Sequence, residues 1–331
     1  MNTVTSSPVE TTTARTPASD GLIDVRLTAI RYAARDTNLY ELARSDGKPL
    51  PPYEPGAHID VHLPNGLVRQ YSLINPEQTE RYTLGIKRDP ASRGGSRCVH
   101  DELRVGKTLK ISAPRNNFAL KEDANHVILL AGGIGITPIW CMVQRLAKLG
   151  RSWQLYYACR SRADTAFLES LERLAQSQFH FDDERAGKFL DVAAIVAAAP
   201  KDAHLYCCGP TPMLNAFEAA TANWPRAQVH VEYFTPKLEA DKKGGFVVEL
   251  ARSGQEFVIP EGKSILEVLL DAGVDVDYSC ELGICGACEQ RVISGEPEHR
   301  DAILTEEEHA ANTKVMICCA GCKSERLVLD L

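Results

Sequence analysis

A chain of 331 residues with 44 % hydrophobic and 24 % charged residues has globular composition and room for two or three domains of about 100–150 residues, which excludes a wholly disordered, collagenous or coiled-coil protein. The net charge of -7 argues against nucleic acid as the main partner, because phosphate binding wants a basic footprint. No apolar run nears the roughly 20 residues of a membrane span, and the first residues (Met1 to Pro8) carry neither a basic segment nor an apolar one, so a cytoplasmic protein is expected.

Residues 1–20 are rich in Thr, Ser, Pro and Ala without hydrophobic period, and read as a disordered tail. Over 21–122, short apolar runs (Leu22 to Val25, His58 to Leu63, Tyr82 to Ile86) alternate with turn clusters such as Pro64-Asn65-Gly66. That rhythm predicts an antiparallel β-barrel. Over 123–236 strands and helices alternate. His126 to Ala131 is a continuous apolar run, as in a strand buried on both faces. A helix from Ile139 to Leu149, a strand from Trp153 to Ala158, a helix from Phe167 to Gln178, a strand from Ala203 to Cys208, a helix ending near Asn223 and a strand from Val229 to Phe234 follow. The alternation predicts a parallel α/β domain. Residues 237–244 read as a polar linker. Over 245–331 a hairpin (Gly245 to Ala251, Gln255 to Ile259) precedes a helix from Ser264 to Ala272, with Ser264 and Glu267 placed as a capping box.

Charge divides at the linker. Residues 237–331 hold 10 basic and 19 acidic side chains, a net of -9, which leaves +2 on the rest. A solvated surface and a docking face for a basic partner both fit that asymmetry.

Six of the eleven cysteines lie in the last 52 residues. In a reducing compartment, clustered cysteines read as metal ligands. Cys280-x4-Cys285-x2-Cys288, with Cys318 after 29 further residues, is the spacing of a plant-type [2Fe–2S] site. Three thiolates on one loop wrap the cluster and a remote one closes it. Gly283, Gly286 and Ala287 let backbone N–H groups approach the sulfurs. Zinc sites favour paired short knuckles instead. Cys319 and Cys322 compete with Cys318 for the fourth place; Cys318 is chosen because it follows the strand-like run Val315 to Ile317. Cys98, Cys141 and Cys159 read as ordinary buried thiols.

Arg69-Gln70-Tyr71-Ser72 can hold a flavin: Arg69 on a phosphate, Tyr71 on the ring system, Ser72 at the N5 edge. Lys87-Arg88 and Gly94-Gly95-Ser96, the latter placed to open a phosphate-binding helix, add to it. Gly132 to Pro138 (Gly-Gly-Ile-Gly-Ile-Thr-Pro) follows a buried strand and puts glycines and a helix start where a pyrophosphate can sit, without the Gly-x-Gly-x-x-Gly spacing. A plain tight turn is the alternative. Cys208-Gly209-Pro210 supplies a second loop at the same sheet edge.

Taken in this order, the Arg69-x-Tyr71-Ser72 motif, the Gly132 turn, the Cys208 loop and the cysteine cluster resemble the phthalate dioxygenase reductase family, with vanillate demethylase reductases as near relatives. The resemblance covers about residues 21–331. It implies an FMN barrel, an NADH domain and a C-terminal β-grasp ferredoxin domain, in a monomer that passes electrons to a separate Rieske-type oxygenase. It further implies that Arg69, Tyr71 and Ser72 contact the flavin, and that Lys87, Gly94, Gly95 and Ser96 serve its phosphate and ring. Gly133, Gly135, Thr137 and Pro138 would line the nicotinamide nucleotide, with Cys208 near the nicotinamide. Glu232 and Phe234 correspond to the family's acid and aromatic beside the flavin. Nicotinamides give two electrons at once and clusters accept one, so a flavin belongs between them. Ser72 is the residue whose loss should slow hydride transfer, with Cys208 beside it.

The resemblance favours NADH over NADPH and FMN over FAD, although Arg160, Ser161 and Arg162 follow the second α/β strand, where a ribose 2′-phosphate could bind. A stand-alone NAD(P)H diaphorase reducing quinones or other small acceptors is the competing reading. It leaves the acidic C-terminal end without a purpose.

Overall fold

The computed structural model describes residues 21–331; the tail expected over 1–20 lies outside them. Three sheets follow one another along the chain. The first contains β1 (Ile23–Ala34), β2 (Thr37–Arg44), β3 (His58–His62), β4 (Val68–Ser72), β5 (Tyr82–Lys87) and β6 (Thr108–Ile111), in the order β4-β3-β6-β1-β2-β5. Every pairing in it is antiparallel. A bridge between Leu73 and Leu84 draws the two edges together, around a core that includes Leu27, Ile59, Leu73, Tyr82 and Ile111. Helix α1 (Gly95–Glu102) follows β5.

The second sheet is parallel. It is built from β7 (Val127–Gly132), β8 (Trp153–Cys159), β9 (Ser177–Phe181), β10 (His204–Cys208) and β11 (Val229–Glu232), in the order β11-β10-β7-β8-β9. All six residues of β7 are buried, which explains the continuous apolar run in the sequence. The crossover helices are α2 (Ile136–Lys148), the single turn α3 (Leu168–Leu171), α4 (Val192–Ala198) and α5 (Thr211–Thr221).

The helix expected from Phe167 to Gln178 is corrected here. Leu168, Leu171 and Leu174 have near-helical spacing, but only one turn forms. The chain then extends as β9 to pair with β8 from Leu155↔Ser177 to Cys159↔Phe181. Five ladder positions on the sheet edge outweigh local helix propensity.

The third sheet runs β13 (Gln255–Ile259), β12 (Phe246–Leu250), β18 (Arg326–Leu329), β14 (Glu289–Ser294), β16 (Lys314–Met316). Strands β12 and β18 are parallel and the other pairs antiparallel. Helix α6 (Ile265–Asp271) buries Ile265, Leu266 and Leu269 in this domain's core. It starts with the expected capping box: Ser264 accepts from the Glu267 N–H, and Glu267 accepts from the Ser264 N–H, an arrangement worth about 1 kcal/mol. Helix α7 (Glu306–Ala311) has the same device at Thr305 and Glu308. The two-residue strands β15 (Pro297–Glu298) and β17 (Gly321–Cys322) pair beside the sheet.

Segment 237–244 contains no helix or strand, yet it is not a free tether. Asp241 is 7 % exposed, its N–H donates to the Cys319 carbonyl at 2.8 Å, and Arg300 reaches its carboxylate.

Candidate flavin, nucleotide and iron–sulfur sites

The flavin candidates sit on β4 and the start of α1. Arg69 lies across the helix start: its Nη2 donates to the Arg93 carbonyl at 3.3 Å. A Cβ on Gly95 would stand 2.7 Å from the Arg69 side chain, so glycine is needed for that approach. Gly94 has φ 91, the left-handed region. Ser96 accepts from the Asp89 N–H at 3.1 Å, which folds the preceding loop back on the helix. Gln70 is turned the other way, and its Nε2 donates to Asp60 at 3.0 Å. Asp60 also pairs with Arg115 at 2.7 Å. Burial pushes the Tyr71 hydroxyl above its ordinary range. Lys87 ends β5.

The Ser72 hydroxyl is buried without a hydrogen-bond partner. A buried hydroxyl left unpaired costs about 1–3 kcal/mol, and a flavin edge would satisfy it. The polar atoms present therefore fit a flavin.

The nucleotide candidates meet where the order of the parallel sheet reverses, between β7 and β10. Open α/β sheets bind ligands at the strand ends of such a point. The Gly133–Gly135 turn and the Cys208-Gly209-Pro210 loop face each other there. A Cβ on Gly135 would lie 2.2 Å from the Cys208 carbonyl, and one on Gly132 would lie 2.5 Å from Pro210. Gly133 has φ 53, also left-handed, and its carbonyl accepts from the Tyr157 hydroxyl at 3.0 Å. Thr137 and Pro138 are buried. The Thr137 hydroxyl donates to the Ile134 carbonyl, and its methyl group would stand 2.7 Å from a Cβ on Gly85 in β5. Thr137 holds the turn against the barrel rather than opening toward solvent.

Cys208 and Glu232 are register partners at the ends of β10 and β11. The buried Cys208 thiol is raised well above its ordinary range, chiefly by burial and then by the Glu232 charge. Burial pushes the Glu232 carboxyl up to about 8, and its Oε2 has no partner. The rest of residue 232 is only half-buried; the closed-off oxygen governs its titration. Phe234 is exposed just beyond.

Arg162, expected as a possible 2′-phosphate contact, pairs with Glu184 at 2.7 Å and Glu172 at 3.2 Å. Ser161 donates to Asp164 at 2.6 Å. Both side chains have acidic partners, which disfavours a second anion there.

The cysteine loop between α6 and β14 carries Cys280, Cys285 and Cys288, and Cys318 reaches it from just beyond β16. Cys280 hydrogen-bonds to Cys285, and Cys288 to Cys318. In each pair the hydrogen bond, with burial, pushes the first thiol up, and the same bond holds its partner down; Cys318 also hydrogen-bonds to Cys319. Backbone N–H groups of Leu282 and Ala287 donate to the Cys280 and Cys285 sulfurs at 3.3 and 3.4 Å. Gly283 (φ 68) and Gly286 (φ 77) shape the turn. Four thiols facing inward with N–H donors behind them suit a small iron–sulfur cluster. Cys322 points elsewhere, toward the Glu296 carbonyl and the Ser324 hydroxyl. Cys319 packs on the cluster loop: its sulfur stands 2.6 Å from where a Gly283 Cβ would be.

One contact had no sequence signal. Asn117, just beyond the barrel, donates to the Cys285 carbonyl at 3.0 Å. Together with the interaction of Arg69 with Glu281 and Cys280, it brings the flavin strand and the cluster loop face to face.

The 2Fe-2S iron-sulfur cluster binding domain family matches residues 248–323, and the oxidoreductase NAD-binding domain family matches residues 129–219. A solved phthalate dioxygenase reductase, described as a modular structure for electron transfer from pyridine nucleotides to [2Fe–2S], superposes with a TM-score of 0.73. The two are 40 % identical, and the match covers 96 % of this chain and 100 % of that one. This chain belongs to the phthalate dioxygenase reductase family. It is an electron-transfer oxidoreductase with an NAD-binding domain and a [2Fe–2S] domain.

Two further relatives of this reductase are 49 % identical to it. They are the tetrachlorobenzoquinone reductase of Sphingobium chlorophenolicum, over 317 residues (93 % of this chain, 98 % of that one), and the phenoxybenzoate dioxygenase subunit beta of Ectopseudomonas oleovorans, over 311 residues (93 % and 97 %). Among the reductase's described residues, no helix is long and apolar enough to cross a membrane.

Proposed function

We propose that this reductase draws electrons from NADH through FMN and a [2Fe–2S] cluster and delivers them to a separate Rieske-type oxygenase component. The facing of the flavin strand and the cluster loop, joined by Asn117 and Cys285, carries the reading. When bound, the flavin would supply the conversion of a two-electron hydride donor's electrons into the single electrons that an iron–sulfur cluster accepts. The chain's own part is placement. Arg69, Gly94, Gly95 and Ser96 hold the flavin phosphate at the start of α1, with Lys87 near the ring. Tyr71 would pack on the ring, and the unpaired Ser72 hydroxyl would donate to its N5 edge. Gly133 and Gly135 give the pyrophosphate a Cβ-free cradle, braced by Thr137 and Pro138. Cys208 and Glu232 close the nicotinamide end, with Phe234 beside them. Cys280, Cys285, Cys288 and Cys318 ligate the cluster.

The partner docks on the acidic C-terminal domain, whose net charge is -9 from residue 237 onward. Opposite charges steer such encounters and salt screens them. A second reading, with a quinone as terminal acceptor, is favoured by the 49 % identical relative named a tetrachlorobenzoquinone reductase.

The test compares wild type with Cys288→Ser, using a basic one-electron acceptor (cytochrome c) and a substituted benzoquinone. The proposal expects cytochrome c reduction to need the cluster and to weaken with salt. Cytochrome c reduction that survives in Cys288→Ser, or quinone turnover that far exceeds it and ignores the substitution, would transfer support to the quinone reading.

A further inference from the structure

A second cluster of metal-ligating side chains lies apart from the four cysteines. His299, Asp301 and His309 each present one ligand atom, and the three atoms lie within 4.8 Å of one another. The Asp301 Oδ1 is 3.8 Å from His299 Nδ1 and 3.2 Å from His309 Nε2. A tetrahedral ion with bonds of about 2.0–2.1 Å sets its ligands roughly 3.3 Å apart; the separations are close to that, and the His309 ring, stacked on His299 with centroids 4.4 Å apart and hydrogen-bonded to Asp301, has to turn out of the stack to aim its Nε2 lone pair at the same ion.

The Asp301 side chain is 0 % exposed and that of His299 8 %. The other Asp301 oxygen accepts from the N–H groups of Ile303 and Leu304, which fixes the carboxylate with Oδ1 facing the histidines. On the far side of its ring, His299 Nε2 hydrogen-bonds to the Asn312 Oδ1 at 3.0 Å. An amide oxygen only accepts, so Nε2 carries the proton and the Nδ1 lone pair is free. That buried Nδ1 has no hydrogen-bond partner. An outer acceptor that fixes the tautomer of an inner ligand is the usual second layer of a metal site.

The nearby cations already have partners. Arg300 pairs with Glu298 and Asp241, Lys323 with Glu296, and Lys314 with Glu289 and Glu308. None of these ion pairs involves His299, Asp301 or His309. The local fold explains the convergence. The capping box at Thr305 starts α7, which carries His309 in its last turn, and Asn312 ends it at φ 51.

We propose that His299, Asp301 and His309 bind one zinc-class divalent ion through two imidazole nitrogens and a carboxylate oxygen, with water completing the coordination on the His309 side, where that side chain is 29 % exposed. Imidazole and carboxylate together suit such ions. The ion would brace the segment behind the cluster loop, which it meets through the Ala302 N–H on the Gly283 carbonyl at 2.9 Å.

The test uses holoenzyme with two irons per chain, in a Cys322→Ser background so that the half-exposed thiol does not compete. Chelator-treated protein is titrated with zinc chloride against a chromophoric chelator, and its zinc absorption edge is recorded. The expected result is one zinc per chain, with nitrogen and oxygen neighbours at about 2.0–2.2 Å and no sulfur near 2.3 Å. His309→Ala should weaken binding at least tenfold. Asn312→Gly, which keeps the left-handed backbone and removes only the outer acceptor, should weaken it about 10–100-fold. No bound zinc, a sulfur shell, or unchanged affinity in both variants would overturn the proposal.

Discussion

Asn117 Nδ2 donates to the Cys285 carbonyl across 168 residues of chain, at 3.0 Å. This hydrogen bond fastens the barrel side of the molecule to the loop carrying three candidate cluster ligands. It holds a distance on which electron transfer depends. Asn117→Ala removes a bond worth about 0.5–1.5 kcal/mol. The variant should keep two irons per chain and its hydride-transfer rate, while the following flavin-to-cluster step slows about 2- to 10-fold. Stopped-flow absorbance with NADH separates the two steps.

How far the sequence announced this molecule depends on whether a signal is local. The cysteine loop is local, and its residue types leave few chemistries open, so 280, 285 and 288 were readable at once. The strand–glycine turn at Gly132 was readable because β7 is buried on both faces and announces itself as an unbroken apolar run. Strand β9 was not, because its neighbour β8 supplies the pairing and the residues just before it follow a helix-like Leu168, Leu171, Leu174 pattern. Strand β2 went unread for a similar reason: its burial does not alternate. Asn117, the Asp60–Arg115 pair and the His299–Asp301–His309 group are assembled by tertiary contact alone.

Ser72 separates stability from chemistry. Its hydroxyl is buried and unpaired in the protein alone, so Ser72→Ala should leave the flavin-free protein as stable as wild type or slightly more so. On the proposed placement, in the flavin-loaded enzyme the same change would remove a hydrogen bond at the reacting edge and should slow hydride transfer about 5- to 30-fold, the equivalent of about 1–2 kcal/mol. Thermal unfolding and single-turnover reduction read the two effects.

The fourth ligand is tested by iron content. Cys318→Ser should lose the cluster, because Cys318, just beyond β16, hydrogen-bonds to Cys288 at the end of the cysteine loop. Cys322→Ser should retain two irons per chain, since that sulfur faces Glu296 and Ser324. The reverse pattern would reassign the ligand.

Glu232 makes stability depend on pH. Burial raises its folded-state value to about 8 from an ordinary 4.5, so the folded protein favours the protonated carboxyl. That contribution is complete below about pH 4.5 and is lost as pH rises toward 8. Glu232→Gln keeps a neutral side chain throughout. Its Tm relative to wild type should climb between pH 5 and pH 8.5, by about 2–4 °C for each kcal/mol recovered. A constant Tm difference across that interval would show that Glu232 does not titrate there.

An anaerobic NADH titration of the iron-loaded protein, followed by absorbance and low-temperature EPR, tests the electron path most directly. The expected result is bleaching of the flavin band together with the rhombic signal of a reduced [2Fe–2S] cluster. Flavin bleaching without that signal, in protein shown to contain two irons per chain, would contradict a path running from NADH through flavin to the cluster.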